Sequence, residues 1–343
     1  MRTKSWIVCV FLALFSLLYG CQSNQNPNET QTAKETLTIY TTVYPLEDFT
    51  KKIGGDAVEV RSVYPPGAEA HTFEPTTKTI QQIAEADAFI YIGQGMEPFA
   101  EKLKETLKKE PVRFLAAADG IDLLESSHEE HGEEHGEEHG EEHGEEHGEE
   151  HGEEHEHNAE EGSGEEHNHG DKDPHVWLDP LRSITIAEQI RDLLIELKPE
   201  QKEMFTKNFN TLKAKLEALD QKFQQTVQSA QNKDILVAHA AYGYWEERYG
   251  LRQRSVSGLS PTNEPSQKEL AALIDWAKRH HIRYVLFERN IPAKTAEMVQ
   301  HEIGAKALYL HNLETLTDED RNQHRDYFDL MEENIETIQQ ALR

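Results

Sequence analysis

Cysteine is almost missing from this 343-residue chain, which has only Cys9 and Cys21. Cys9 lies inside an apolar N-terminal run, so its loss on processing would leave one cysteine and no disulfide to brace the fold. Stability then has to come from packed cores, and the length suffices for two domains. Basic residues are also scarce: 35 Lys and Arg stand against 64 Asp and Glu, a formal net charge of −29. With no basic stripe to neutralise phosphates, nucleic-acid binding is excluded and a cationic partner is favoured. The acidic excess is concentrated. Residues 128–170 hold 19 Glu, 11 His and no Lys or Arg, and the rest of the chain carries about −10.

Long apolar stretches are lacking too. Residues 6–18 are apolar but too few for a comfortable membrane span. They follow Arg2 and Lys4 and precede Leu18-Tyr-Gly-Cys21, the layout of an export signal ending in a lipobox-like motif. Residues 1–20 are therefore expected to be a lipoprotein signal peptide and Cys21 the lipidated first residue of the mature chain. The alternatives are an ordinary signal cleaved nearby or an uncleaved anchor. Several acyl chains on one cysteine would give stable attachment to the extracytoplasmic face of the cell membrane. The polar residues 21–36 then form a flexible tether.

From residue 37 onward, strand and helix signals alternate. Apolar, β-branched runs at 37–43, 58–63, 88–92 and 112–115 predict strands. Helical spacing at 46–53, 79–86 and 98–108 separates them, and a helix at 184–197 closes a first α/β lobe over 37–198 with a parallel sheet. A loop at 126–173 interrupts it. Its centre is His-Gly-Glu-Glu repeated from His131, His135, His139, His143, His147 and His151. Glycine in every turn would cost a helix about 1 kcal/mol each relative to Ala, and the paired glutamates repel, so a disordered, solvated segment is expected. Residues 199–231 carry Phe205, Phe209, Leu212, Leu216, Leu219 and Phe223 at steps of three and four. This is one helix of roughly 45 Å at 1.5 Å per residue, long enough to join two lobes. A second alternation over 232–343 completes a second lobe. The expected class is α/β: two lobes with mainly parallel sheets joined by one long rigid helix.

Eight histidines lie outside the loop. His280 and His281 end a helix, where cations suit the dipole. His301 and His324 are in polar surroundings, and His311 follows a strand in a place expected to be exposed. Three others differ. His71 sits in the Pro/Gly-rich turn at 65–75, His175 in the Pro-bracketed Asp-Pro-His-Val-Trp-Leu-Asp-Pro at 173–180, and His239 directly after an apolar strand. In open α/β sheets, ligand sites collect at such strand ends. Position alone leaves a shared site and three unrelated turn histidines both open.

The wording around these residues is more specific. His-Thr-Phe-Glu-Pro at 71–75, the 173–180 motif, Val-Ala-His-Ala-Ala-Tyr-Gly-Tyr at 237–244, Gly-Leu-Ser-Pro from Gly258, Glu-Pro-Ser from Glu264 and the His-rich acidic insertion together resemble the metal-specific solute-binding proteins of ABC importers, in their zinc-uptake branch. The resemblance covers about residues 36–343 outside the His loop. It implies an interlobe cleft in which His71, His175, His239 and a late carboxylate hold a transported Zn²⁺. Glu314 falls at the carboxylate position, with Asp318 as the alternative and water if neither serves. The partners implied are an ABC permease with its ATPase subunit, and the chain is expected to be a monomer. Three imidazoles and one carboxylate suit tetrahedral Zn²⁺. Manganese branches resemble this one but place a carboxylate where His239 stands, and Mn²⁺ stays open as a minor cargo. Imidazole binds metal only when neutral, so loading is expected to weaken below about pH 6, near the reference value. The loop histidines are expected to gather Zn²⁺ weakly. Two other classes compete: a zinc buffer or adhesin with the loop as main site, and a zinc hydrolase, which would need an open coordination position and a base. Glu69 and Glu74 lie near His71 but have no evident substrate pocket to serve. No enzyme activity is expected.

Overall fold

The computed structural model describes residues 36–125, 172–289 and 291–343. The signal peptide, Cys21, the tether up to residue 35, and the loop histidines His131, His135, His139, His143, His147 and His151 lie outside the described residues.

Each half of the chain is wound to the same plan. Strands β1 (Leu37–Thr41), β2 (Val58–Ser62), β3 (Ala88–Tyr91) and β4 (Arg113–Ala116) pair in parallel in the order β2-β1-β3-β4. Strands β5 (Asp234–His239), β6 (Arg252–Ser257), β7 (Tyr284–Glu288) and β8 (Lys306–Leu310) repeat it as β6-β5-β7-β8. In both sheets the winding reverses beside the first strand, between β1 and β3 and between β5 and β7. Ligands collect at the carboxyl ends of strands flanking such a reversal. The inner strands read as continuous apolar runs because helices cover both faces: β3 is buried throughout, whereas edge strand β2 alternates.

The helices are α1 (Tyr44–Gly54), α2 (Thr77–Ala84), α3 (Ala100–Thr106), α4 (Pro180–Leu197), α5 (Lys202–Gln228), α6 (Gly243–Tyr249), α7 (Gln267–Arg279), α8 (Lys294–Ile303), α9 (Asp318–Asn322) and α10 (Tyr327–Ala341). Helix α4 begins four residues before the apolar periodicity does. The Asp179 side chain accepts the Leu181 and Arg182 N–H groups, and Pro180 fits the first turn. Helix α5 starts at Lys202 because Pro199–Gln201 form a 3-10 turn; its 27 residues reach about 40 Å at 1.5 Å per residue. The short α9 was not foreseen, since five residues carry no readable period; a Thr317–Asp320 capping box defines it.

Helix α5 buries Phe205, Phe209, Leu212, Leu216, Leu219, Phe223 and Val227. It packs on α1 and α4 of the first half and on α6 and α10 of the second. The main hydrophobic core is therefore continuous, from Phe49 and Tyr91 through Phe205 and Phe223 to Trp245 and Tyr327. A smaller cluster, including Leu236, Val256, Ala277, Val285 and Val299, lies in the second half. The antiparallel bridge Glu125–Lys172 and the bond from Asp173 N–H to Leu124 O (2.8 Å) bring Lys172 and Asp173, read from sequence as the end of the loop, into the ordered framework.

Leu216 is fully buried in the stripe that both halves share. Leu216→Ala should lower the unfolding free energy by about 2–5 kcal/mol, and denaturant unfolding should shift as a single step. Two separate transitions with only one displaced would contradict the shared core.

Candidate metal centre

The three singled-out histidines and Glu314 come from four separate segments. His71 lies in the loop between β2 and α2, and Glu69 shapes its turn by accepting the His71 N–H (3.0 Å) and the Thr72 N–H (2.9 Å). His175 precedes a 3-10 turn, Val176–Leu178, that leads into α4. His239 is the last residue of β5 rather than the first beyond it. Glu314 lies between β8 and α9.

These segments converge. One ligand atom from each of His71, His175, His239 and Glu314 lies within 4.8 Å of every other. The side chains are 3%, 0%, 1% and 1% exposed. Glu314 Oε1 is 3.4 Å from His71 Nε2, 3.5 Å from His175 Nε2 and 4.0 Å from His239 Nε2. Those four atoms are buried and none has a hydrogen-bond partner. Buried polar atoms are normally paired, and each one left unpaired costs about 1–3 kcal/mol. Four orphans facing one centre make a group that could hold a cation. Zn–N bonds of about 2.0–2.1 Å in a tetrahedron separate the donors by about 3.3 Å, close to the shortest of these spacings.

Two of the imidazoles are fixed from behind. Asp173 Oδ1 accepts the Nδ1–H of His175 (2.8 Å) and its backbone N–H (2.9 Å). Glu288 Oε2 accepts the Nδ1–H of His239 (2.7 Å), and its Oε1 accepts the Tyr242 hydroxyl (2.9 Å). An ionised carboxylate only accepts, so each Nδ1 carries a proton and each Nε2 is the ring nitrogen left facing the centre. Strand register explains the second pair. Two residues beyond the Val237–Leu286 pairing, His239 and Glu288 end neighbouring parallel strands at the winding reversal. Asp173 needs room as well: a Cβ on Gly243 would sit 2.8 Å from its Oδ2, so only glycine lets α6 approach this closely. Tyr244 then donates its hydroxyl to Asp173 O at 2.7 Å.

The Glu314 loop is stitched to the first half. Trp177 Nε1–H donates to Asn312 O (2.8 Å), Tyr44 N–H to Glu314 O (3.0 Å), Gly67 N–H to Leu316 O (3.0 Å) and Thr315 Oγ1–H to Ala68 O (3.0 Å). Asp318 is exposed at the start of α9, outside the group. Glu74 is also exposed. His311 was expected to be exposed and is 6% exposed instead, enclosed by Asp320 and Asn334. His280 stacks on Trp276 and pairs with Asp234. Sequence reasoning missed Asp173, Glu288 and Tyr242. The signal for Asp173 is an acid two residues before His175 in a Pro-bracketed turn; the signal for Glu288 is an acid closing an apolar strand.

Comparison with known proteins places the chain in a family. The family model for ZnuA, the periplasmic component A of a zinc-uptake complex, matches residues 39–341. The chain belongs to the ZnuA family. This ZnuA-family chain is 36% identical to the zinc-binding lipoprotein AdcA of Streptococcus pneumoniae over 341 residues, covering 99% of this chain and 61% of that relative. It thus spans less than two thirds of AdcA. It is 34% identical to the high-affinity zinc uptake system protein ZnuA of Bacillus subtilis, covering 99% of this chain and 98% of that one. The crystal structure of the Zn(II)-bound ZnuA-like domain of S. pneumoniae AdcA superposes with a TM-score of 0.68 at 34% identity, covering 90% of this chain and 99% of that one.

Burial lowers the tendency of His175 to hold a second proton, but Asp173 and Glu314 outweigh it and push the imidazole up to about 10. Burial likewise opposes the Glu314 charge, yet the surrounding His71, His175 and His239 hold it well below the usual carboxylate range. Without a cation the cage therefore keeps a proton on His175 at neutral pH, and an incoming metal must expel it. The window for pH-dependent loading moves upward from the reference imidazole value. Zn²⁺ affinity should rise about tenfold per pH unit between 7 and 9, read by competition with a chromophoric chelator; a flat profile there would contradict this. Asp173→Ala should weaken Zn²⁺ binding by about 10–100-fold, as loss of an orienting partner does, measured in the same titration.

Proposed function

We propose that this chain captures Zn²⁺ between its two lobes, through His71, His175, His239 and Glu314, and delivers it to an ABC permease powered by its ATPase subunit. The observation that carries the reading is the set of four buried, unpartnered donor atoms aimed at one point. Three imidazoles and one carboxylate suit zinc, and harder Mn²⁺ favours a richer set of oxygens. Four protein donors close a tetrahedral shell and leave no open position for an activated water, which argues against a hydrolase. Glu69 is engaged in shaping the turn at His71. Long α5 packs along both halves, so release proceeds by modest tilt and local rearrangement of the donor loops rather than wide hinge closure. The chain acts on the extracytoplasmic face of the membrane, held there by lipid on Cys21, and the loop histidines bind zinc weakly and raise its local supply.

Deleting residues 128–170 should leave one tight Zn²⁺ per chain and remove several weak ones in a calorimetric titration. In that background His239→Ala should weaken the tight site by more than the 10–100-fold expected of outer partners, while His281→Ala should leave it unchanged. Many weak, equal sites and no tight one would favour the buffer reading. Hydrolysis of peptide or ester substrates by the zinc-loaded protein would favour the enzyme.

A further inference from the structure

The turn that presents Glu314 is held by side chains in an unusual way. Leu313 adopts φ +61°, a left-handed conformation that a residue with a Cβ rarely takes. Two consecutive side chains hold it there. Asn312 Oδ1 accepts the N–H of Glu314, two residues on (3.1 Å), as asparagine does in turns. His311 does the same one position earlier: its Nδ1 accepts the N–H of Leu313 at 2.9 Å. A ring nitrogen can accept only when it carries no proton, so the proton of this buried ring is on Nε2, 3.3 Å from Asp320 Oδ2. The His311 backbone is clamped as well, with Asn334 accepting its N–H (2.7 Å) and donating to its carbonyl (2.8 Å). Both polar atoms of the ring and both of the backbone are thus committed to fixing the chain two residues before the left-handed Leu313.

We propose that His311 is a positioning residue for the metal cage: by accepting the Leu313 N–H it holds the left-handed turn that aims the Glu314 carboxylate at His71, His175 and His239. This rests on the zinc reading above. A purely space-filling role would need only a side chain of similar bulk. The positioning role needs an acceptor at one place, and asparagine supplies its Oδ1 at the same distance from the backbone as Nδ1 of histidine.

The full-length chain allows the test, with the affinity of the first Zn²⁺ equivalent from chelator competition and the visible absorption of the protein carrying one equivalent of Co²⁺ as a report on the donor set. His311→Leu, which keeps bulk but offers no acceptor, should weaken Zn²⁺ binding by about 10–100-fold and alter the Co²⁺ bands. His311→Asn should restore both to within a few-fold of the parent, even though it abandons the Asp320 contact. Parent-like affinity and spectrum in the Leu variant would overturn the proposal. An Asn variant weakened tenfold or more against the parent, with altered Co²⁺ bands, would also overturn it, and that comparison with the parent remains decisive if the Leu variant does not fold. A parent protein with no tight zinc site would instead sink the zinc reading itself.

Discussion

Charge buried without solvent is the constraint around which this molecule is arranged. Glu314, Asp173 and Glu288 are 1%, 3% and 4% exposed. A lone carboxylate in such a place is expensive unless it is paired. Asp173 and Glu288 are paired, each with the back of an imidazole, and Glu288 with a tyrosine hydroxyl as well. Glu314 Oε1 has no such relief; it faces three ring nitrogens that likewise have no hydrogen-bond partner. Two states resolve the conflict: a proton held among the imidazoles, or a divalent cation shared by all four groups. The competition between them links metal loading to pH.

The scaffold exists to hold that conflict in place. Both sheets reverse their winding beside the first strand, and the second sheet sets His239 and Glu288 side by side at its reversal. The inner strands are too apolar to move independently of the helices covering them. Helix α5 joins the halves through one continuous core instead of a flexible linker. Across the interface the connections are short and directional. Trp177, two residues after His175, donates to Asn312, two residues before Glu314, so the two turns cannot shift separately without breaking a buried hydrogen bond.

Much of the architecture was legible because periodicity is a local property. The stripe from Phe205 to Phe223 announced α5, and the apolar, β-branched runs at 37–43, 58–63, 88–92 and 112–115 announced β1 to β4; β6, with Arg252, Gln253 and Arg254, carries a fainter signal because an edge strand need not be apolar on both faces. His71, His175 and His239 stood out through Pro-rich turns and a strand end. Other features were not local. That His239 meets Glu288 depends on the register between β5 and β7. That His311 is buried depends on α9 and α10 folding back over the end of β8, which no property of residues 307–311 could reveal. Asp173 looked like the tail of a polar loop until its pairing with Leu124 put it under His175.

The doubled winding has one further consequence. Each half brings two donors to the cage: His71 and His175 from one, His239 and Glu314 from the other. On the proposed reading, neither half alone would be more than a bidentate chelate, and the affinity of the whole would come from the high effective concentration at which the halves present their pairs to one another. Sliding one half against the other by about the length of a metal–ligand bond, about 2 Å, would break two bonds together and leave the ion on the weaker remaining pair. On the proposed reading, a modest tilt of that size would let an acceptor take the ion in one cooperative event, without stripping four ligands in turn.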